Sequence, residues 1–433
     1  MIKKKQSHLP LANFLLRDVH VVDPYSGKDL SQDLAIKEGL VTDASRAGDL
    51  PEINASGLIA VPGLTDAHVH LREPGLEYKE DVVTGTRAAA HGGIVQLACM
   101  PNTKPVVDNP ALVSYLIERA ETAGYCEVLP IGAATKQLEG EELAEIGLMR
   151  DAGAVAFSDD GKPIAQAEMM RKAMIYSQAF GCTLHSHCED ISLAAGGVMN
   201  ESWVSTEMGL FGIPTLAEDV MIARDLLISE YYNCPIHICH VSTAAGIRMI
   251  REAKGRGVPV TAETCPHYFT FTDADVRAFR TDYKMNPPLR SEKDRVAVLE
   301  GICDGTIDLI VSDHAPHHSD EKKVEFALAL NGVIGLETLW PVVYSELVLG
   351  GKLKLTDALN LVCVNPRRLL HQDDIPISDG EKANLMVFAE NEAFIYDKES
   401  SYSKARNSAY DGYEMNGAIK LTVWNGRVSY RSI

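Results

Sequence analysis

Eight short apolar runs, separated by stretches of helical spacing, occupy the middle of this chain and restrict its fold more than any other feature. They fall at 59–69, 94–100, 127–133, 154–157, 182–187, 236–240, 259–263 and 307–312. Between them lie amphipathic segments such as Pro110–Ala123 and 245–254, the latter followed by Gly255 as a stop signal. Strands buried on both faces of a parallel sheet are continuously apolar, as several of these runs are. Eight β/α repeats over roughly 300 residues suit a (β/α)8 barrel, whose usual size is about 250 residues plus insertions. A doubly wound open sheet alternates in the same way, and periodicity does not separate the two.

The ends of the chain read differently. Phe14-Leu15-Leu16-Arg17-Asp18-Val19-His20-Val21-Val22 alternates imperfectly and stops at the turn signal Asp23-Pro24, and residues 33–41 form a second strand pair. Residues 383–388 and 421–428 resemble them near the C-terminus. Two strand-rich ends around a different middle predict a small β domain built from 1–60 plus 371–433, a flanking β-sandwich. The catalytic barrel is then expected over 61–370.

Composition removes whole classes of function. With 41 Lys+Arg against 60 Asp+Glu, the net charge of −19 argues against a nucleic-acid binder, although a few local arginines can still hold an anionic substrate. No apolar run reaches the length of a membrane span. The start, Met1-Ile2-Lys3-Lys4-Lys5, is basic but leads into no apolar signal region. Nine cysteines, an odd number without framework spacing, read as reduced thiols in a cytoplasmic protein.

Of the 14 histidines, ten sit at or near predicted strand ends: His68, His70, His185, His187, His237, His240, His267, His314, His317 and His318. In a barrel, the C-terminal strand ends form the active-site face. Asp66-Ala67-His68-Val69-His70-Leu71-Arg72 is the strongest local signal, because residues i and i+2 on a strand share a face. Paired imidazoles at that spacing ligate a borderline metal such as zinc. His187 and His240 end two later strands and are expected beside them. His185 lies one layer deeper and His237 has the opposite parity from His240, so both read as packing, and His267 as structural or supporting.

Two acidic positions join this set. Asp313 follows the run 307–312, where a strand-end carboxylate can ligate metal and move a proton. In Ser158-Asp159-Asp160-Gly161, one of two aspartates is a candidate bridge between cations, against the plain reading of an Asp-Gly turn. Arg72, two residues past His70, can clamp a carboxylate with its fork, and Asn102 follows the second strand.

Together these motifs resemble the amidohydrolase superfamily, and within it the class I dihydroorotases. The matching stretches are residues 62–75, Met100-Pro101-Asn102-Thr103, Ser158-Asp159-Asp160-Gly161, Ser186-His187-Cys188-Glu189-Asp190, His240-Val241-Ser242-Thr243, Lys284-Met285-Asn286-Pro287-Pro288-Leu289-Arg290 and Ser312-Asp313-His314-Ala315-Pro316-His317. They run in family order from about residue 10 to about residue 430. The resemblance implies a distorted barrel with a flanking β-sandwich and one or two zinc ions. It implies that His68, His70 and Asp313 hold one metal, and that Asp160 bridges to a second held by His187 and His240. His70, Arg72, Asn102, Asn286, His317, Asn331 and Gly332 fall where the family binds dihydroorotate. Where many class I sequences have Pro-Phe-Gly, this chain has Leu330-Asn331-Gly332, which keeps the glycine and loses the phenyl ring.

The implied reaction is the reversible cyclisation of N-carbamoyl-L-aspartate to (S)-dihydroorotate, in pyrimidine biosynthesis, with Asp313 as the group that moves the proton. A small-molecule substrate, a homodimer and association with an aspartate transcarbamoylase are the partners expected. Two other readings are a hydantoinase or allantoinase, whose metals are typically bridged by a carboxylated lysine on strand four, and a non-catalytic subunit that scaffolds the transcarbamoylase. Finally, residues 318–330 mix charges with Phe326 and are expected to form a mobile lid, against the plain reading of a short surface helix.

Overall fold

The computed structural model describes residues 8–433; the basic start Met1-Ile2-Lys3-Lys4-Lys5 lies outside them. Eight parallel strands form the barrel: β1 (Leu64–Val69), β2 (Ile94–Cys99), β3 (Glu127–Gly132), β4 (Ala156–Ser158), β5 (Leu184–Ser186), β6 (Ile236–Ile238), β7 (Val260–Thr264) and β8 (Leu309–Ile310). Each pairs with the next in chain order. The seam between β8 and β1 is closed by residues just beyond β8. Val69 bridges His314, the His70 amide donates to the His314 carbonyl at 2.9 Å, and the Ser312 amide donates to the Asp66 carboxylate at 3.2 Å. This closure selects the barrel over the open sheet.

The first apolar run, expected as one strand over 59–69, is two. Leu58–Pro62 pairs with Leu385–Ala389 in a different sheet, and the chain enters the barrel only after Gly63. A Cβ at Gly63 would lie 2.3 Å from Val95 Cγ1 on β2, so only glycine lets the chain cross here at that separation. Periodicity could not find this break, because both halves are buried and apolar.

The terminal segments build one eight-stranded sheet. Phe14–Asp23, Lys28–Lys37, Leu40–Thr42, Glu52–Asn54 and Leu58–Pro62 come from the N-terminal side, and Leu385–Ala389, Ile419–Trp424 and Arg427–Arg431 from the C-terminal side. Alternation assigns its two faces. Ala60, Leu385 and Val387 enter a small core with Phe14, Leu16 and Ile36, whereas Ile59, Val61, Met386 and Phe388 join the barrel's core. Thr422 Oγ1 donates to the Ala90 carbonyl at 2.7 Å, tying the sheet to the helix Val82–His91.

Residues 401–410 do not stay with that sheet. Asn407 Nδ2 donates to the carbonyls of Ala315 (3.1 Å) and Gly332 (2.9 Å), and its Oδ1 accepts from the His317 amide at 3.2 Å. A segment far along the chain therefore shapes the mouth of the barrel.

Candidate metal centre

The strand ends converge on one carboxylate. Asp160, just past β4, is buried, and its Oδ1 lies 3.5 Å from His68 Nε2, 3.6 Å from His187 Nδ1 and 3.4 Å from His240 Nε2. Its other oxygen, Oδ2, lies 3.4 Å from His70 Nε2. Asp313 Oδ1 approaches His70 Nε2 at 3.2 Å and His68 Nε2 at 3.6 Å. His187 Nδ1 and His240 Nε2 are 2.9 Å apart. The six predicted ligands thus meet in one buried cluster, with both oxygens of Asp160 facing imidazoles.

These atoms lack ordinary partners. His68 Nε2 and Asp160 Oδ1 are buried without a hydrogen bond. A buried polar atom left unpaired is costly, and here two face each other across a gap wider than a hydrogen bond. Two sets of three, His68–His70–Asp313 and His68–Asp160–His240, each have ligand atoms within 4.8 Å of one another. Imidazole nitrogen and carboxylate oxygen are the donors that divalent zinc takes. The residues fit such an ion.

The electrostatics agree. Burial would depress the His68 imidazole, but the carboxylates of Asp160, Glu263 and Asp313 push it well above its ordinary range. Burial would likewise raise Asp313, yet His68, His70 and His240 hold its carboxyl below the usual value. Backbone strain marks the same places. Arg72 (φ 62°), His240 (φ 35°) and Asp313 (φ 45°) all occupy the left-handed region although none is glycine. Such conformations persist only where the surroundings impose them, and they gather at functional sites.

Around this cluster lie the predicted substrate groups. His70 Nδ1 is 2.9 Å from Asn102 Oδ1. If His70 Nε2 faces a metal, Nδ1 carries the proton and donates to Asn102, whose amide NH2 then stays available. Arg72 is buried and donates from Nε to the Pro316 carbonyl at 3.2 Å, and its Nη fork has no hydrogen-bond acceptor among the described residues. Burial lowers its guanidinium to about 10, so it remains a cation at neutral pH. His317 Nε2 lies 2.7 Å from the Asn331 carbonyl, and burial next to Arg72 and Lys79 depresses its imidazole to about 3. Gly332 (φ 138°) has no room for a side chain, since a Cβ would meet the Ala315 carbonyl at 2.7 Å. Asn286 stands further off and donates to Glu189 Oε2 at 3.0 Å, a carboxylate that also meets His187 Nε2 at 3.2 Å.

The other strand-end histidines take different positions. His185 lies deeper, buried, with neither ring nitrogen bonded and its ring 4.7 Å from His237. His314 Nδ1 accepts from the Gly335 amide at 3.2 Å, and His318 caps the helix Ser319–Lys322. The segment 318–330 is well tethered: Lys322 Nζ donates to the carbonyls of Leu330 and Gly332 at 2.9 and 3.0 Å, and Lys284 Nζ to those of Phe326 and Ala327 at 2.8 and 2.9 Å. Sequence reading missed Glu189, Lys79, Glu263 and Asn407. Only Glu263 carried a local signal, as a carboxylate inside an apolar strand.

A family model described as dihydro-orotase-like matches residues 57–245. A dihydroorotase of Acetivibrio thermocellus is 49% identical over 422 residues, covering 96% of this chain and 99% of the relative. One from Pelobacter propionicus is 48% identical, covering 97% of this chain and 100% of the relative. Among solved structures, an L-hydantoinase (dihydropyrimidinase) from Arthrobacter aurescens superposes with a TM-score of 0.86 at 24% identity, over 97% and 96% of the two chains. A dihydropyrimidinase from Brevibacillus agri gives 0.83 at 20%, over 96% and 95%. At that identity the structural likeness carries the fold.

Proposed function

This chain belongs to the dihydroorotase family, and from that premise we propose that the cluster around Asp160 holds zinc and is where N-carbamoyl-L-aspartate and (S)-dihydroorotate interconvert. The enzyme is a metal-dependent cyclic amidohydrolase with dihydroorotase activity. The observation that carries the site assignment is the convergence of four imidazoles, those of His68, His70, His187 and His240, on the two oxygens of the buried Asp160. In this reading His68, His70 and Asp313 would hold one ion and His187 and His240 the other, with Asp160 shared between them. Bound zinc polarises a carbonyl and makes water nucleophilic near neutral pH.

The remaining work falls to the chain's own side chains. Arg72 and Asn102 bind the exocyclic carboxylate and fix the ring, so that orientation does part of the catalysis. Asp313, ionised and at the inner edge of the site, takes the nucleophile's proton in the hydrolytic direction and returns it to the leaving ring nitrogen. Ring closure retraces the path. His317, uncharged, and the backbone at Asn331 and Gly332 line the side where the pyrimidine edge lies, and Asn286 closes the far wall through Glu189.

A hydantoinase reading would need a carboxylated lysine as the bridge. The chain has Asp160 there, and Lys162 is exposed. A non-catalytic scaffold would not need six ligands, and all six are present. The reading extends to a cytoplasmic homodimer able to associate with an aspartate transcarbamoylase. What supports the compartment is that none of the nine cysteines forms a disulfide. No helix among the described residues is long and apolar enough to cross a membrane.

Arg72 supplies the direct test of substrate. Arg72→Lys keeps the charge and loses the two-pronged fork. It should lower kcat/KM for dihydroorotate by about 10- to 100-fold, while metal content and Tm stay at wild type. Steady-state absorbance assays, metal analysis and thermal denaturation measure this. Unchanged kinetics would remove Arg72 from carboxylate binding.

A further inference from the structure

Directly beneath the cluster, β7 brings a second buried carboxylate to the barrel axis. Thr261 and Glu263 are two apart on that strand and share its inward face. Glu263 is fully buried. Its Oε1 lies 2.6 Å from His68 Nδ1 and its Oε2 3.0 Å from His237 Nε2. His237 Nδ1 in turn lies 2.8 Å from Thr261 Oγ1, its ladder partner on the neighbouring strand. The chain Thr261–His237–Glu263–His68 ends at the unpartnered His68 Nε2.

Glu263 fixes one nitrogen on each of the two imidazoles that face it. An ionised carboxylate only accepts, so both nitrogens facing Glu263 must carry protons, Nδ1 of His68 and Nε2 of His237. In the neutral imidazole that a metal ion would take, the lone pair of His68 is then on Nε2, the nitrogen aimed at Asp160 and Asp313. His237 can hold its Nδ1 in either state, because the Thr261 hydroxyl donates or accepts by rotating. The hydrogen-bond partners of the Glu263 side chain among the described residues are these two imidazoles, one of them in the cluster above.

We infer that Glu263 is a positioning residue for the metal centre: through His68 Nδ1 it fixes the tautomer and ring orientation that present Nε2 to the metal, and His237 braces it from the opposite side. The inference rests on the metal reading above and concerns a residue outside the ligand set. A carboxylate behind a ligating imidazole also makes the ligand more basic, and loss of such a partner typically lowers metal affinity about 10- to 100-fold.

The test separates this role from a structural one, because the two move apo-protein stability and metal affinity in opposite ways. Glu263→Gln keeps the shape. Its amide oxygen still accepts from His68, and its NH2 faces His237, which can accept by shifting its proton to Nδ1. Zinc affinity is measured by competition against a chromogenic chelator, and the Tm of the metal-free protein by calorimetry. The variant should bind the tighter zinc about 10- to 100-fold more weakly, with an apo Tm equal to or above wild type because a buried charge is gone. Glu263→Asp, which keeps the charge but shortens the reach, should weaken zinc in the same direction and serves if the glutamine variant does not fold. Unchanged zinc affinity with a lowered apo Tm overturns the inference and makes Glu263 a packing residue. Wild-type protein that binds no zinc overturns the metal centre, and this role with it.

Discussion

Asp313→Asn should lower kcat for dihydroorotate hydrolysis by about 10³- to 10⁴-fold, near the full value of a positioned general base. Asparagine has nearly the same shape, so packing at the end of β8 is kept. What it loses is the ability to take a proton, along with the anionic oxygen that lies 3.2 Å from His70 Nε2 and 3.6 Å from His68 Nε2. The neighbouring imidazoles hold the wild-type carboxyl below its usual range despite burial, so it is ionised at neutral pH. The check is stopped-flow or steady-state kinetics alongside metal analysis and apo-protein Tm. A kcat within tenfold of wild type, with metal retained, would assign the proton to another group.

Asp160→Ala is expected to be equally severe for a different reason. Four imidazoles lie within 3.6 Å of its two oxygens, and without it His187 and His240 are too few to hold an ion. Metal content should fall by at least one ion per chain, and activity should fall by about 10³-fold or more. The adjacent residue is the control. Asp159 Oδ1 accepts from the amides of Ala134 and Thr135, both at 2.9 Å, and its other oxygen accepts from the Thr135 hydroxyl. It tethers the end of β4 to the loop after β3. Asp159→Ala should cost stability, about 2–4 kcal/mol, while leaving metal stoichiometry intact. Thermal denaturation and metal analysis of the pair distinguish the two aspartates. Full metal content in Asp160→Ala would contradict the bridge.

The contrast between these neighbours shows what the sequence could say about the site. Side-chain parity along a strand is readable, so His68, His70 and Arg72 could be placed on one face, and strand ends could be matched with histidines. Which of Asp159 and Asp160 turns inward depends on where β4 stops, and it stops at Ser158 because Asp159 is drawn to the Thr135 amide. Similarly, the run 59–69 carries no mark of its division, since Gly63 works through its distance to Val95 on another strand. Asn407 gave no signal because its role depends on the chain returning to the barrel mouth from the terminal sheet. Glu263 was different. A carboxylate in an apolar strand at inward parity is a legible anomaly, and the histidines alone did not draw attention to it.

Aspartate and carboxylated lysine make different demands on the solution. An aspartate has both anionic oxygens at neutral pH, whereas a lysine must first react with carbon dioxide. The most direct measurement is therefore reconstitution of the metal-free enzyme with zinc in buffer purged of bicarbonate, following dihydroorotate by its absorbance. Activity should return fully with zinc alone, saturating by about two equivalents, and added bicarbonate should change nothing. Activity that returns only when bicarbonate is supplied, or that persists in the metal-free protein, would contradict a centre bridged by Asp160.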